Sequence, residues 1–400
     1  MYNIYMLVYE FKLKGKPHQY QAIDEAIRVV QFIRNKAVRH WMDNRVAGKN
    51  DLYKLAASLP KEFEFSDKLN STARQQATER AWSAISKFFE NCKKKIPGKK
   101  GYPKFQKDNR SVEYKQSGWK LVDGCKRIHF SDKCGIGTFK LIGKQCLNGF
   151  QDKIKRVRLV RRADGYYAQF CLDVERKEHL ASTGSIIGLD MGISHLWTDS
   201  NGNTLENPRA LKRAEKALKR EQRRLSRKQK GSSNRKKQIK CLAKKHLKVQ
   251  RQRKDFAIKA ARALYQSHDL VVIENLQVKN MLKNHTLAKA ISDASWHQLK
   301  RWLEYFSHVF SKALVLVPPH HTSQDCSSCG ERVAKKLSER VHHCDSCGLE
   351  LDRDHNAALN ILSKGLGLIG TVGHTGTGHT SARSASSRDV ETPVERQAAA

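Results

Sequence analysis

Four cysteines near the C-terminal end constrain this chain more than any other feature. They form two pairs, Cys326-x2-Cys329 and Cys344-x2-Cys347, separated by 14 residues. Each pair is followed by glycine, in CSSCG and CDSCG, which lets the backbone wrap so that amides face the thiolates. Two such knuckles supply the four soft ligands that a tetrahedral Zn²⁺ requires, and a shell with no open position is structural. The spacing therefore predicts a small ribbon over 319–349 stabilised by one zinc ion, because so short a segment has almost no core of its own. His342 and His343 adjoin Cys344, but four cysteines already fill the shell. The other six cysteines, Cys92, Cys125, Cys134, Cys146, Cys171 and Cys241, have no framework spacing and read as small buried apolar residues.

Three acids, far apart in sequence, form a second constellation. Asp190 ends the apolar run Ser185–Leu189 and precedes Met191-Gly192, where a small residue leaves room for a ligand. Glu274 ends the run Asp269–Ile273. Asp354 lies in LDRDHNAA, at the start of a helix expected to reach about Leu362. Strands that end side by side would bring Asp190 and Glu274 together, with the helix start adding Asp354. Clustered carboxylates repel and are costly to bury unless cations neutralise them. Two Mg²⁺ about 3.5–4 Å apart would do so, and would also activate water and stabilise a leaving 3′ oxygen. Taken singly, a strand-end Asp suits a turn and Asp354 suits a helix cap. Asp352 is the rival for Asp354.

Charge indicates the substrate class. Lys and Arg total 76 against 39 Asp and Glu, a formal charge of +37. That surplus argues for a polyanionic partner, nucleic acid before anionic membrane. Between Arg209 and Lys254 stand 21 Lys or Arg against two Glu. Gly231-Ser232-Ser233-Asn234 splits the run into two helices. Like charges at i,i+4 repel without a counter-charge, so phosphate contact is expected there, from Arg213, Lys216, Arg220, Arg223, Arg224, Arg227, Lys236 and Lys237. Arg332, Lys335, Lys336 and Arg340 would add basic groups to the ribbon. No apolar run approaches the roughly 18–20 residues of a membrane span, and Met1–Lys14 has no signal-peptide layout. A cytoplasmic protein, nucleoid-associated when bound to DNA, is expected, with no membrane partner. No P-loop motif occurs.

The remaining pattern gives the organisation. Residues 2–14 alternate as a strand, while 19–45 and 66–92 carry helical periodicity. Residues 110–178 are β-rich, with Arg156–Arg162 and Tyr166–Val174 forming the best hairpin. Residues 286–312 read as one amphipathic helix whose stripe Trp296, Leu299, Leu303, Phe306 and Phe310 suits core packing. Ala313–Val317 reads as a strand, and 366–400 as an aperiodic flexible tail.

Several of these segments together resemble one known family. GLDMGISHLWTDSNG, VVIENL, TSQDCSSCG, HHCDSCGLELDRDHNAALNIL and KGYPKF are similar to TnpB, the transposon-encoded OrfB nuclease related to type V CRISPR effectors. The likeness spans roughly 1–365 and is most specific over 185–362. It implies a multidomain α+β chain. A wedge-like β-barrel would span 1–15 and 105–182, with a helical recognition insert at 16–104. An RNase H-like (RuvC) nuclease domain would span 183–318 and 350–365, with the Cys₄ ribbon inserted. It implies that Asp190, Glu274 and Asp354 hold two catalytic Mg²⁺ and that Cys326, Cys329, Cys344 and Cys347 hold zinc. Asp354 is preferred to Asp352 because the family's acid directly precedes x-Asn-Ala. Met191 and Asn275 stand where the family tends to carry Leu and an acid. Gln75 aligns with a glutamine that reads the adjacent motif. The implied activity is guide-RNA-directed cutting of double-stranded DNA beside a short motif, by a monomer in a ribonucleoprotein whose RNA comes from the transposon end. The alternatives are a compact type V CRISPR effector, a nuclease-inactive RNA-guided DNA-binding protein, and a guide-free nuclease or transposase accessory factor.

Overall fold

The computed structural model describes residues 6–336 and 339–373. The chain divides into two compact units, one within residues 6–175 and one from Arg176 onward.

The first unit starts with β1 (Leu7–Lys14), followed by three helices, α1 (Pro17–Asp43), α2 (Lys49–Glu62) and α3 (Ser71–Lys93). Proline at the first position of α1 has a preset φ and lacks an N–H that would be unsatisfied there anyway. The Gln19 side chain accepts the Lys16 amide at 2.8 Å. Ile23, Ile27, Val30, Ile33 and Trp41 follow at helical steps and are buried. In α3, Asn70 Oδ1 accepts the Thr72 amide at 2.8 Å as an N-cap. The chain returns to strands with β2 (Ser111–Tyr114), β3 (Trp119–Val122), β4 (Arg127–Phe130), β5 (Gly137–Ile142), β6 (Ile154–Arg162) and β7 (Gly165–Leu172). With β1 they form one antiparallel sheet in the order β2-β6-β7-β1-β5-β4-β3. Tyr114 on β2 and Phe130 on β4 are five strand steps apart, about 24 Å along a flat sheet. Their ring centroids are 5.1 Å apart. Trp119 on β3 likewise meets Phe170 on β7 at 6.3 Å. The sheet therefore curls over a single core that it shares with α1 and α3.

In the second unit, β8 (Ile186–Asp190), β9 (His195–Asp199) and β10 (Thr204–Glu206) form an antiparallel meander. It is followed by α4 (Ala210–Ser226), α5 (Ser233–Ser267), β11 (Leu270–Glu274), the short helices α6 (Val278–Met281) and α7 (Ala288–Ala294), α8 (Trp296–Phe310) and β12 (Ala313–Val317). β11 and β12 pair parallel to β8, giving the order β10-β9-β8-β11-β12. The hairpin β13 (Val341–His343) and β14 (Glu350–Asp352) leads into α9 (Arg353–Gly373).

Side-chain parity explains why β11 is apolar throughout. Val271 and Ile273 join the core under α5 and α8, whereas Leu270 and Val272 join Ile361 and Leu362 of α9 on the opposite face. A strand covered on both faces has no solvated side and so loses alternation.

Several expectations are corrected here. The 286–312 helix is two helices, because Ser295 adopts a left-handed φ of 56° that ends α7 before α8 begins. Its aromatic stripe is buried as expected. Helix α2 falls in a stretch that sequence periodicity passed over. α9 continues to Gly373 instead of ending near Leu362, so 366–373 is helical, and the rest of the expected tail lies outside the described residues. Of the six scattered cysteines only Cys171 is buried; Cys92, Cys146 and Cys241 are exposed, Cys146 lying between strands and Cys92 at a helix end. No described helix is long and apolar enough to cross a membrane.

Candidate active site and zinc ribbon

The acids are placed by strand register. Leu189 pairs with Ile273 in the parallel β8–β11 ladder, so Asp190 and Glu274 are the next residues on neighbouring strands, with backbones about 4.8 Å apart. Asp190 has the parity of Gly188, and Glu274 that of Val272, so both side chains leave the sheet on the face that α9 covers. α9 crosses that face at short range. A Cβ on Gly188 would stand 2.4 Å from the Ala358 carbonyl oxygen and 2.8 Å from Leu362 Cβ. This close approach sets the first turn of α9, and with it Asp354, beside the ends of β8 and β11.

The electrostatics record the convergence. Burial raises the Asp190 carboxyl to about 8, with further upward pushes from Glu274, Asp354 and Asp352 and a downward pull from Arg353. Glu274 is also raised, by burial first, against a hydrogen bond from Thr322 that favours its charged form. Asp354 is clamped by the Arg353 guanidinium, whose Nε and Nη2 lie 3.1 and 2.9 Å from Oδ1; Arg340 is 3.8 Å from its other oxygen. Asp190 thus lies within electrostatic reach of Glu274 and Asp354, while Arg353 and Arg340 attend Asp354 and Lys364 and His320 attend Glu274.

Asp352 has a different position. Its Oδ1 accepts the backbone amides of Asp354 at 2.9 Å and His355 at 3.1 Å, and its side chain is exposed. It is the N-cap of α9, which separates it from the half-buried Asp354. Gly192 also serves the fold: its amide donates to Leu196 and its carbonyl accepts from Trp296 Nε1 in the β8–β9 turn.

The four cysteines converge as their spacing predicts. Their sulfurs all lie within 4.8 Å of one another, with Cys326–Cys347 and Cys329–Cys344 at 3.6 Å. A tetrahedron with Zn–S bonds near 2.3 Å has edges of about 3.8 Å. The two knuckles repeat the same bonds: Gly330 N to Cys326 O at 3.0 Å and Gly348 N to Cys344 O at 2.8 Å. Gly330 and Gly348 take left-handed φ of 81° and 74° to do so. The donor set and its spacing fit a structural zinc ion. No set as tight forms from the three acids among the described residues.

Sequence reasoning missed the contacts that join ribbon to helix. Asn356 accepts the Ser327 amide at 3.0 Å and donates to Asp325 O at 2.9 Å. Asn360 donates to Thr322 O at 2.8 Å and Asp325 O at 2.7 Å. The one available signal was a polar pair at i,i+4 in the otherwise apolar NAALNIL. Three of the four basic ribbon residues have partners within the protein: Arg332 with Asp325, Lys335 with His342 and Arg340 with Asp354.

Most of the basic residues expected to meet phosphate lie on the α4–α5 hairpin. Glu221 is buried inside it, accepting from Gln238 at 2.7 Å and from Arg224 at 3.3 Å, with Arg220 at 3.9 Å. Arg213, Lys216, Arg223, Lys236 and Lys237 also lie on α4 and α5, and Arg227 caps the end of α4. Arg220 and Arg224 remain largely exposed despite their contact with Glu221. Gln75 is exposed on α3, in the first unit.

Comparison with known proteins decides the family. Residues 169–285 match the OrfB_IS605 family model, described as "Probable transposase", and residues 296–361 match the "Cas12f1-like, TNB domain" model. A "Putative RNA-guided DNA endonuclease" of Streptomyces pristinaespiralis is 30% identical over 311 residues, covering 76% of this chain and 74% of that one. The chain belongs to the TnpB family. A second TnpB-type relative, "Putative RNA-guided DNA endonuclease InsQ" of Escherichia coli, is 27% identical over 383 residues, 89% of this chain and 92% of that one. Among solved structures, the mini-RNA-guided endonuclease CRISPR-Cas_phi3 superposes with a TM-score of 0.55 at 8% identity, covering 92% of this chain and 93% of that one. The Cas12f1–sgRNA–target DNA complex gives 0.50 at 14% identity over 86% and 81% of the chains. These two show that the TnpB chain shares their fold.

Proposed function

We propose that this protein is a guide-RNA-directed endonuclease that cuts double-stranded DNA beside a short adjacent motif. What supports the reading is that Asp190 and Glu274 stand at the ends of the paired strands β8 and β11, across whose face α9, the helix carrying Asp354, packs, in a family whose relatives are described as RNA-guided DNA endonucleases. Three antiparallel strands followed by two parallel ones, in the order 3-2-1-4-5, support a RuvC-like assignment for the second unit. The curled sheet of the first unit, with α1–α3 between β1 and β2, supports the wedge-like barrel and its helical insert.

In this reading Asp190, Glu274 and Asp354 hold two Mg²⁺. When bound, such a pair supplies a water ionised near neutral pH and positive charge for the leaving 3′ oxygen. Asp190, whose carboxyl burial raises, would have to bind in its charged form, and Arg353, which holds Asp354 Oδ1 at 2.9 Å, would neutralise charge beside the site. The α4–α5 hairpin presents fixed cations to phosphates, so a guide–target duplex is held by shape while base pairing carries sequence information. Cys326, Cys329, Cys344 and Cys347 keep one zinc ion and with it the ribbon. Gln75 contacts the adjacent motif.

Sequencing the RNA that copurifies from cells, followed by cleavage of a plasmid library matched to it, tests the reading. One abundant RNA species and cleavage next to a short shared motif are expected. Asp190→Ala or Glu274→Ala should abolish cutting and leave RNA binding intact. Random RNA fragments would overturn the guided reading, and wild-type cutting by either variant would overturn the assignment of the acids.

A further inference from the structure

Thr322 belongs to the segment leading into the zinc ribbon, yet its hydroxyl reaches the nuclease acids. Thr322 Oγ1 donates to Glu274 Oε1 at 2.6 Å, and both side chains are buried. The threonine is itself fixed, because Asn360 of α9 holds its carbonyl at 2.8 Å. Asn360 and Asn356 also hold the Asp325 carbonyl, one residue before the first zinc ligand. The path from Cys326 to Glu274 therefore runs through short hydrogen bonds, and α9, which carries Asp354, is its other anchor.

Toward the charged carboxylate, the form that binds cations, the hydroxyl can only donate. A hydroxyl has one proton, and here it is spent on Oε1. That restrains Oε1 of Glu274 and leaves Oε2 for other partners. A buried carboxylate at the end of a strand has several rotamers open to it, and only some would present Oε2 to a cation shared with Asp190.

We infer that Thr322 is a positioning residue for the Mg²⁺ site: it orients Glu274 as a ligand and ties that orientation to the base of the zinc ribbon. The inference rests on the nuclease reading above. Outer-shell donors to carboxylate ligands commonly change metal affinity or activity by about 10–100-fold when removed.

The test compares Thr322→Val, Thr322→Ala and Thr322→Ser in the full chain bound to its copurified RNA. Val preserves shape without the hydroxyl, Ala removes it without placing a methyl group against Glu274, and Ser restores it. Two quantities are read: the Mg²⁺ concentration giving half-maximal cleavage, and Mn²⁺ binding followed by electron paramagnetic resonance with no DNA present. The Val and Ala variants are expected to need about tenfold more Mg²⁺ and to bind Mn²⁺ correspondingly more weakly, with zinc content and copurified RNA unchanged. Ser is expected to restore both quantities. Wild-type Mn²⁺ affinity and Mg²⁺ dependence in Val or Ala would overturn the inference. So would a Ser variant no better than Ala, since the hydroxyl would then not be the cause. Asp190→Ala, run in parallel, separates the two claims. If it abolishes cutting while Thr322→Val behaves as wild type, the positioning role fails and the nuclease reading stands. If Asp190→Ala still cuts at wild-type rates, the assignment of the acid site fails, independently of Thr322.

Discussion

Gly188 lies directly beneath the Ala358 carbonyl, so close that a Cβ on the glycine would stand 2.4 Å from that oxygen. The obstruction is helix backbone, not a flexible side-chain tip, and Leu362 N and Cβ at 2.8 Å close the other escape. Gly188→Ala must therefore push α9 away from β8. Overpacking of this kind costs about 1–3 kcal/mol, and Asp354 moves with the helix. The expected outcome is a lowered melting temperature together with cleavage reduced at least tenfold. A variant with unchanged melting and cutting would show that α9 does not depend on this contact.

Glu113 should govern the acid stability of the first unit. It is buried on β2 among Arg158 at 2.8 Å, Arg80 at 3.0 Å and Arg156 at 3.2 Å. Burial raises its carboxyl, but the three guanidiniums outweigh that and hold it down at about 2. Its folded value lies below its unfolded value, so its contribution is complete above about pH 4.5. It is lost as pH falls toward 2, and amounts to about 3 kcal/mol. Glu113→Gln leaves three cations without their shared anion and should cost about 3–5 kcal/mol at neutral pH. Denaturant melts of the wild type and the variant should converge as pH drops through that window. Parallel curves would rule the charge cluster out.

Asp190 has the opposite sign. Its carboxyl is raised to about 8, first by burial and then by Glu274 and Asp354. In the metal-free protein the folded state keeps a proton that the unfolded state has lost, so this group makes stability fall as pH rises from about 4 toward 8. Asp190→Asn removes the charge and should raise the melting temperature of the metal-free protein at pH 8. Under the proposed function Mg²⁺ would bind the charged carboxylate, so its affinity should rise with pH toward about 8 and then level off. Calorimetry in two buffers of different ionisation enthalpy measures the proton released. No buffer dependence near pH 7 would contradict the raised carboxyl.

The ribbon should stand or fall with its zinc. Cys326→Ser removes one buried thiolate from a shell whose sulfurs lie within 4.8 Å of each other. Metal analysis should show one zinc per wild-type chain and a loss in the variant, with faster release to a colorimetric chelator. Limited proteolysis should then cut within 319–349 while 186–317 stays protected. Zinc retained at wild-type occupancy would remove Cys326 from the ligand set.

The Cys₄ spacing, the acid-terminated apolar runs and the charge run between Arg209 and Lys254 were all legible from residue order, because each is a local pattern. So were the β6–β7 hairpin, whose strands are joined by the two residues Ala163-Asp164, and the buried stripe of α8. The break at Ser295 was not legible, since apolar periodicity continues across a single residue whose φ turns positive.

The different surroundings of Asp352 and Asp354 also depended on three dimensions. Both stand at a helix start in sequence, and only the fold makes Asp352 the N-cap of α9 and leaves Asp354 half-buried in its first turn, with the stronger push on Asp190. Thr322, Asn356 and Asn360 act across 29 to 48 residues of chain, a separation at which composition and periodicity carry no signal. Sequence alone thus determined which residue types could do chemistry and on which local elements they sit. Packing of α9 across Gly188 decided which segments stand against the strand ends, because the approach of distant segments is fixed by sheet register and helix packing, and neither is a property of any one segment.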